Sequence, residues 1–69
     1  MERMQILVNG ERREMPAGAT VTELIEALGL GERRLAVEHN GRIIRRAEFP
    51  RTALQADDRV EIVQAIGGG

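Results

Sequence analysis

The sequence predicts an α+β fold, a mixed sheet of four to five strands packed on one helix. Three observations predict it. Apolar and polar residues alternate in segments at the start, middle and end of the 69-residue chain. Two Asn-Gly pairs close such segments, and this dipeptide favours the two-residue type I′ hairpin because both positions need positive φ. Between the two hairpins lies one stretch with apolar residues at helical spacing behind a capping sequence.

Met4, Ile6 and Val8 share one face of the first strand, and Asn9-Gly10 turns the chain at once. Glu11 to Met15 return as a polar strand, closed by Pro16, which has no N–H for a ladder. Thr20 and Glu23 stand at capping-box spacing. Val21, Leu24, Ile25 and Leu28 then fall at i, i+3, i+4 and i+7, so a helix is predicted over 21–28. Gly29 supplies a left-handed stop, with Leu30 folding back as its apolar partner. Leu35 and Val37 point inward from the next strand, and Asn40-Gly41 turns it into a return strand over 42–46. Phe49-Pro50-Arg51-Thr52 breaks regular structure, and Leu54 is expected in the core beneath that loop. Asp57-Asp58 marks a turn, because short acidic side chains hydrogen-bond nearby backbone. The last strand, over 59–63, directs Val60 and Ile62 inward. This order and length suit the β-grasp fold, whose first and last strands lie side by side and parallel in mid-sheet. One domain is expected over residues 1–66, followed by a flexible glycine tail over 67–69.

Composition narrows the chemistry. There is no Cys, Ser, Lys, Tyr or Trp, so thiol, seryl and amine nucleophiles are excluded, with Schiff bases and Cys-zinc frameworks. All ten basic residues are arginines, which stay charged at neutral pH and cannot serve as ordinary general bases. His39 is the only histidine, and no metal site or cofactor site is expected. A net charge of −1 provides no basic field for nucleic acid or an anionic membrane. One aromatic residue, Phe49, gives no stacking platform for bases. No apolar run approaches membrane-spanning length and the N-terminus lacks a signal-type apolar region, so a cytoplasmic address is expected. An enzyme acting on its own is not.

The chain ends Val63-Gln64-Ala65-Ile66-Gly67-Gly68-Gly69. For an arbitrary protein three terminal glycines read as a frayed end. Behind a ubiquitin-like order of elements they are a specific conjunction. The sequence resembles the sulfur carrier proteins of the ThiS/MoaD type, nearest to the thiamine-biosynthesis branch. The resemblance is carried by Met4 to Gly10, Thr20 to Ile25, Ala36 to Gly41, Ile43 to Arg46, Asp58 to Val63 and Ile66 to Gly69. It departs at Ala56, where the family commonly has Gly, and at Phe49, where Trp is frequent.

The resemblance implies a protein co-substrate. An ATP-dependent adenylating enzyme of the E1-like ThiF type activates the Gly69 carboxylate. Sulfur from a cysteine-desulfurase-derived persulfide then leaves a thiocarboxylate, and thiazole synthase of the ThiG type takes the sulfur for the thiazole ring of thiamine. Gly67 and Gly68 suit a tail that enters a narrow site, because side chains there would clash. A MoaD-type carrier for molybdopterin synthesis is the nearest alternative, although those chains tend to be longer. A ubiquitin-like protein modifier and an inert interaction domain are more distant ones.

Val63, Ala65 and Ile66 form an apolar run beside the tail and are expected to dock the partner enzymes. Arg12, Arg13, Arg42, Arg45 and Arg46 read either as solvated strand charges or as a docking surface for acidic partners. His39 reads as a hairpin surface residue rather than an acid or base. Asp57-Asp58 reads as a turn rather than a cation site, since adjacent carboxylates point apart and hard cations need about six oxygens.

Overall fold

The computed structural model describes residues 2–31 and 33–64. Its elements are β1 (Arg3–Val8), β2 (Glu11–Pro16), α1 (Val21–Ala27), β3 (Leu35–His39), β4 (Arg42–Ile44), the 3-10 helix η1 (Arg46–Arg51) and β5 (Arg59–Gln64). The strands form one five-stranded sheet in the order β2-β1-β5-β3-β4. β5 runs parallel to β1, with Leu7 opposite Arg59 and Val8 opposite Val60, and antiparallel to β3. This is the β-grasp arrangement expected from the sequence.

Both hairpins turn as their Asn-Gly pairs require. Asn9 and Gly10 have φ of 52° and 84°, and Asn40 and Gly41 have 52° and 86°. These values put both residues of each turn in the left-handed region. Register follows, with Val8 opposite Glu11 and His39 opposite Arg42. Helix α1 starts in a complete capping box: the Glu23 N–H donates to Thr20 Oγ1 at 3.2 Å, and the Thr20 N–H donates to Glu23 Oε1 at 2.8 Å. It ends in a Schellman pair, the Gly29 N–H on the Glu26 carbonyl and the Leu30 N–H on the Ile25 carbonyl, each at 3.0 Å. Gly29 has φ of 75°, the left-handed stop the sequence predicts.

The apolar stripe of α1 (Val21, Leu24, Ile25) covers one face of the sheet. There it meets Met4, Ile6, Val8, Met15, Val37, Ile44, Val60 and Ile62. Leu54 is buried beneath the loop, as expected.

The second hairpin departs from its predicted length. Its return strand stops at Ile44 rather than 46, and the segment expected to be irregular is η1. The cause is local: the Arg45 N–H donates to Glu48 Oε1 at 2.8 Å, and the Glu48 N–H donates to the Arg45 carbonyl at 2.8 Å. Those bonds divert the backbone from the ladder into a helical turn. That turn buries Phe49 among the core side chains.

A polar cluster closes the other end of that hairpin onto the start of β5. The His39 ring lies with Nε2 2.7 Å from Asp58 Oδ2, and Asn40 Nδ2 donates to Asp58 Oδ1 at 3.1 Å. The Gln55 N–H donates to Asp58 Oδ2 at 2.9 Å, which makes the loop before β5 an aspartate-closed turn. Asp57 takes the left-handed position in it, at φ of 69°. His39 is therefore half-buried and partnered, not a solvated hairpin residue. Burial works to raise the Asp58 pKa, but the bonds from His39, Gln55 and Asn40, with the His39 charge, outweigh it and hold the carboxyl below its ordinary 3.8.

Two outcomes test this architecture. Leu24→Ala, at a fully buried position, should cost about 2–5 kcal/mol in urea unfolding. Ile43→Ala, at a position 73% exposed, should stay within about 0.5 kcal/mol. The second outcome concerns pH. A carboxyl whose folded pKa is depressed stabilises the protein fully above its unfolded value and loses that contribution as pH falls through the folded one. Stability should therefore hold from neutrality to about pH 4 and decline below it. Asp58→Asn should be weaker at pH 7 and show a shallower acid decline in the same titration.

Candidate functional site

The candidate site is the end of β5, where the chain leaves the sheet toward the glycines. Alternation along β5 sends Val60 and Ile62 into the core and Arg59, Glu61 and Val63 to the opposite face. Val63 is 63% exposed and stands opposite Ala36 of β3, also exposed. Ile43 of β4, 73% exposed, lies on the same outer face opposite Glu38. Val63, Ala36 and Ile43 thus place apolar side chains on the outer face near the chain's exit. Sequence reasoning singled out Val63 and missed Ile43. The signal was present, since in the pair Ile43-Ile44 a strand buries only one member.

β5 is held from both sides. β3 pairs along its whole length, from Leu35 opposite Gln64 to His39 opposite Val60. β1 pairs only with its beginning, and the backbone bonds from β1 end with the Asn9 N–H on the Val60 carbonyl at 2.9 Å. Beyond that point the Asn9 side chain takes over. Its Oδ1 accepts from the Ile62 N–H at 2.8 Å, and its Nδ2 donates to the Ile62 carbonyl at 3.2 Å. Asn40 does comparable work at the start of the strand, where its Oδ1 accepts from the Arg59 N–H at 2.8 Å. Neither role was visible in the sequence, because the turn alone already accounts for an Asn before Gly.

On the helix side, the exit is bordered by a groove with an apolar wall of Leu28, Leu30 and Leu35 and a charged rim of Glu11, Arg12 and Arg13, with Gln64 at its edge. The arginines do not converge on one spot. Arg12 donates to Gln5 Oε1 at 2.9 Å, and Arg46 reaches the Arg33 carbonyl at 2.8 Å. Arg3 pairs with Glu14 at 3.0 Å across the exposed β1–β2 surface. The remaining predicted site residues, Ala65, Ile66, Gly67, Gly68 and Gly69, lie outside the described residues. Among the described residues, no group of three or more His, Cys, Asp or Glu side chains comes together as a metal site. No described helix is long and apolar enough to cross a membrane.

The comparisons with known proteins bear on the family and the fold. The ThiS family matches residues 6–69, which includes the terminal glycines. The sulfur carrier protein ThiS of Escherichia coli is 35% identical over 66 residues, 96% of this chain and 100% of that protein. Thiazole synthases of Paramagnetospirillum magneticum and Magnetococcus marinus are each 39% identical over 66 residues. The match covers 96% of this chain but only 20% of those proteins, so the chain spans about a fifth of their length. The crystal structure of a thiamine biosynthesis protein (ThiS) from Geobacter metallireducens superposes with a TM-score of 0.82 at 33% identity, covering 96% of this chain and 100% of that one. Its solution structure superposes with a TM-score of 0.77, covering 96% of this chain and 88% of that one. Both Geobacter structures carry thiamine-biosynthesis names, and this chain belongs to the ThiS family.

Proposed function

We propose that the chain is a sulfur-carrying co-substrate for thiamine biosynthesis whose one working group is the Gly69 carboxyl. The observation that carries this reading is the family match running through Gly69, on a fold whose central strand leads to it. A carboxylate is a poor acyl donor. Attack of the Gly69 carboxylate on the α-phosphate of ATP, in a partner enzyme, releases pyrophosphate and leaves an acyl adenylate. A persulfide sulfur then attacks the acyl carbon and displaces AMP, and a thiol reductant cleaves the resulting S–S bond to leave the thiocarboxylate. The chain has no Cys or Lys to intercept the activated acyl group, so the sulfur stays at the terminus.

The partners are an adenylating enzyme and a thiazole synthase as sulfur acceptor. That two thiazole synthases contain a segment 39% identical to this chain supports the second. Val63, with Ala65 and Ile66, forms the docking contact beside the tail, and Gly67 and Gly68 give the backbone close access to a narrow site. Fully extended, residues 66–69 reach about 10–14 Å, enough to enter an active site while the folded body stays outside. The cytoplasm, where ATP and thiol reductants are held, is the compartment this chemistry needs.

Incubated with an adenylating enzyme, ATP and a persulfide donor, the protein should gain one sulfur in place of one oxygen. Intact-mass analysis and fragmentation should place it at Gly69. Deleting Gly69 moves the reacting carbonyl by about 3.5 Å and should abolish transfer with the fold intact, since misplacement by about 1 Å already costs on the order of a hundredfold. An unmodified C-terminus in the intact protein would overturn the carrier reading. Val63→Asp should weaken binding to the adenylating enzyme or thiazole synthase by calorimetric titration, because a charge buried at an interface without a partner is costly. Unchanged affinity for both would move the docking contact to another face.

A further inference from the structure

The end of β5 needs more than a sheet neighbour on one side. The Val60 carbonyl accepts from the Asn9 N–H, while the Arg59 carbonyl accepts from the Asn40 N–H next to β3. Even-numbered residues of β5 therefore direct their backbone groups toward β1, and odd-numbered ones toward β3. β1 ends at Val8, opposite Val60, so Ile62 faces the β1 side two residues after the last backbone partner there. Its N–H and carbonyl are both met by one carboxamide, that of Asn9. An amide side chain carries one acceptor and donors on adjacent atoms, the same pair a backbone peptide would present. Asn9 supplies a strand rung without a strand.

We propose that Asn9 is a positioning residue: its carboxamide extends the β1 ladder onto Ile62 and so fixes the line along which the chain leaves the sheet toward Gly69. This rests on the carrier reading for its consequence but not for its geometry. Past Ile62 the described chain is paired only with β3, through Val63 opposite Ala36 and Gln64 opposite Leu35. A strand held on one edge can swing about that edge, and a second restraint at Ile62 limits that swing for the last residues of β5. A tail delivered along a fixed line starts closer to the geometry that adenylation needs.

Asn9→Gly separates this role from the turn. Glycine accepts the φ of 52° at that position without strain, so the hairpin is kept while both bonds to Ile62 are lost. Asn9→Asp retains the turn preference and the oxygen facing the Ile62 N–H, but loses the donor to the Ile62 carbonyl. The first readout is amide exchange and backbone relaxation in the isolated protein. In Asn9→Gly, Ile62 should lose protection and Val63 and Gln64 should gain amplitude, while Val37 and Ile6 keep wild-type protection. In Asn9→Asp, Ile62 should also lose protection, since the second carboxylate oxygen faces the Ile62 carbonyl with an acceptor. The second readout is thiocarboxylate formation with the adenylating enzyme, ATP and persulfide. In Asn9→Gly the turnover rate should drop by about tenfold or more with a smaller rise in KM, because the Val63 side chain is kept while its backbone gains amplitude.

Wild-type protection at Ile62 and wild-type motion at Gln64 in Asn9→Gly would overturn the proposal. Loss of protection across the whole sheet would also overturn it, leaving Asn9 a stability residue only. If the wild-type chain itself gains no sulfur, the carrier reading falls while the exchange and relaxation data still decide the role of Asn9.

Discussion

The parallel contact between β1 and β5 is what the remaining architecture has to make possible. Antiparallel neighbours can be joined by two residues, as both Asn-Gly turns show, but a parallel pair needs a long crossover. Here that crossover contains α1, the second hairpin and η1, and each is used. α1 covers the face that the parallel pair would otherwise leave open to water. The second hairpin supplies β3 as the other neighbour of β5, and η1 carries Phe49 into the core. The last strand thus lies in mid-sheet, flanked by strands the chain formed earlier. A terminus emerging there is anchored by the best-supported part of a small domain.

Much of this was legible because local signals and global pattern agreed. Thr20 and Glu23 announced the start of α1, Gly29 its end, and the two Asn-Gly pairs set the register of both hairpins. The early stop of β4 was not legible. Whether the Glu48 carboxylate returns to the Arg45 N–H depends on where the chain goes after Ile44, and Arg45-Arg46 reads equally well as outward strand charge. The His39–Asp58 contact was hidden for a related reason. The two residues are 19 apart, and only the pairing of β3 with β5 brings them together. At the candidate site, Val63 could be read from strand alternation, whereas the Asn9 clamp joins residues 53 apart and leaves no trace in local pattern.

Electrostatics in this molecule is correspondingly local. The charges are many and nearly balanced, and the contact of His39 with Asp58, shielded from open solvent, sits at the entry to β5. Exposed contacts such as Arg3 with Glu14 add little to stability. The Asp58 carboxylate collects bonds from an imidazole, a carboxamide and a backbone N–H, and so ties the β3–β4 turn to the loop before β5 at one point. That arrangement fixes where β5 begins, as the core fixes its face.

The pair of hydrogen bonds between Asn9 and Ile62 also has a chemical age. Asn followed by Gly is the dipeptide most prone to lose its side-chain ammonia, through attack of the following backbone nitrogen on the carboxamide carbon. At Asn9-Gly10 the carboxamide is held on the backbone of another strand, which keeps it from that attack while the turn is closed. Once converted to a carboxylate, the side chain would face the Ile62 carbonyl with an acceptor where a donor had been, an unfavourable pairing that no rotation of the group repairs. Loss of that donor is then tied to local opening of the turn, an event separate from global unfolding.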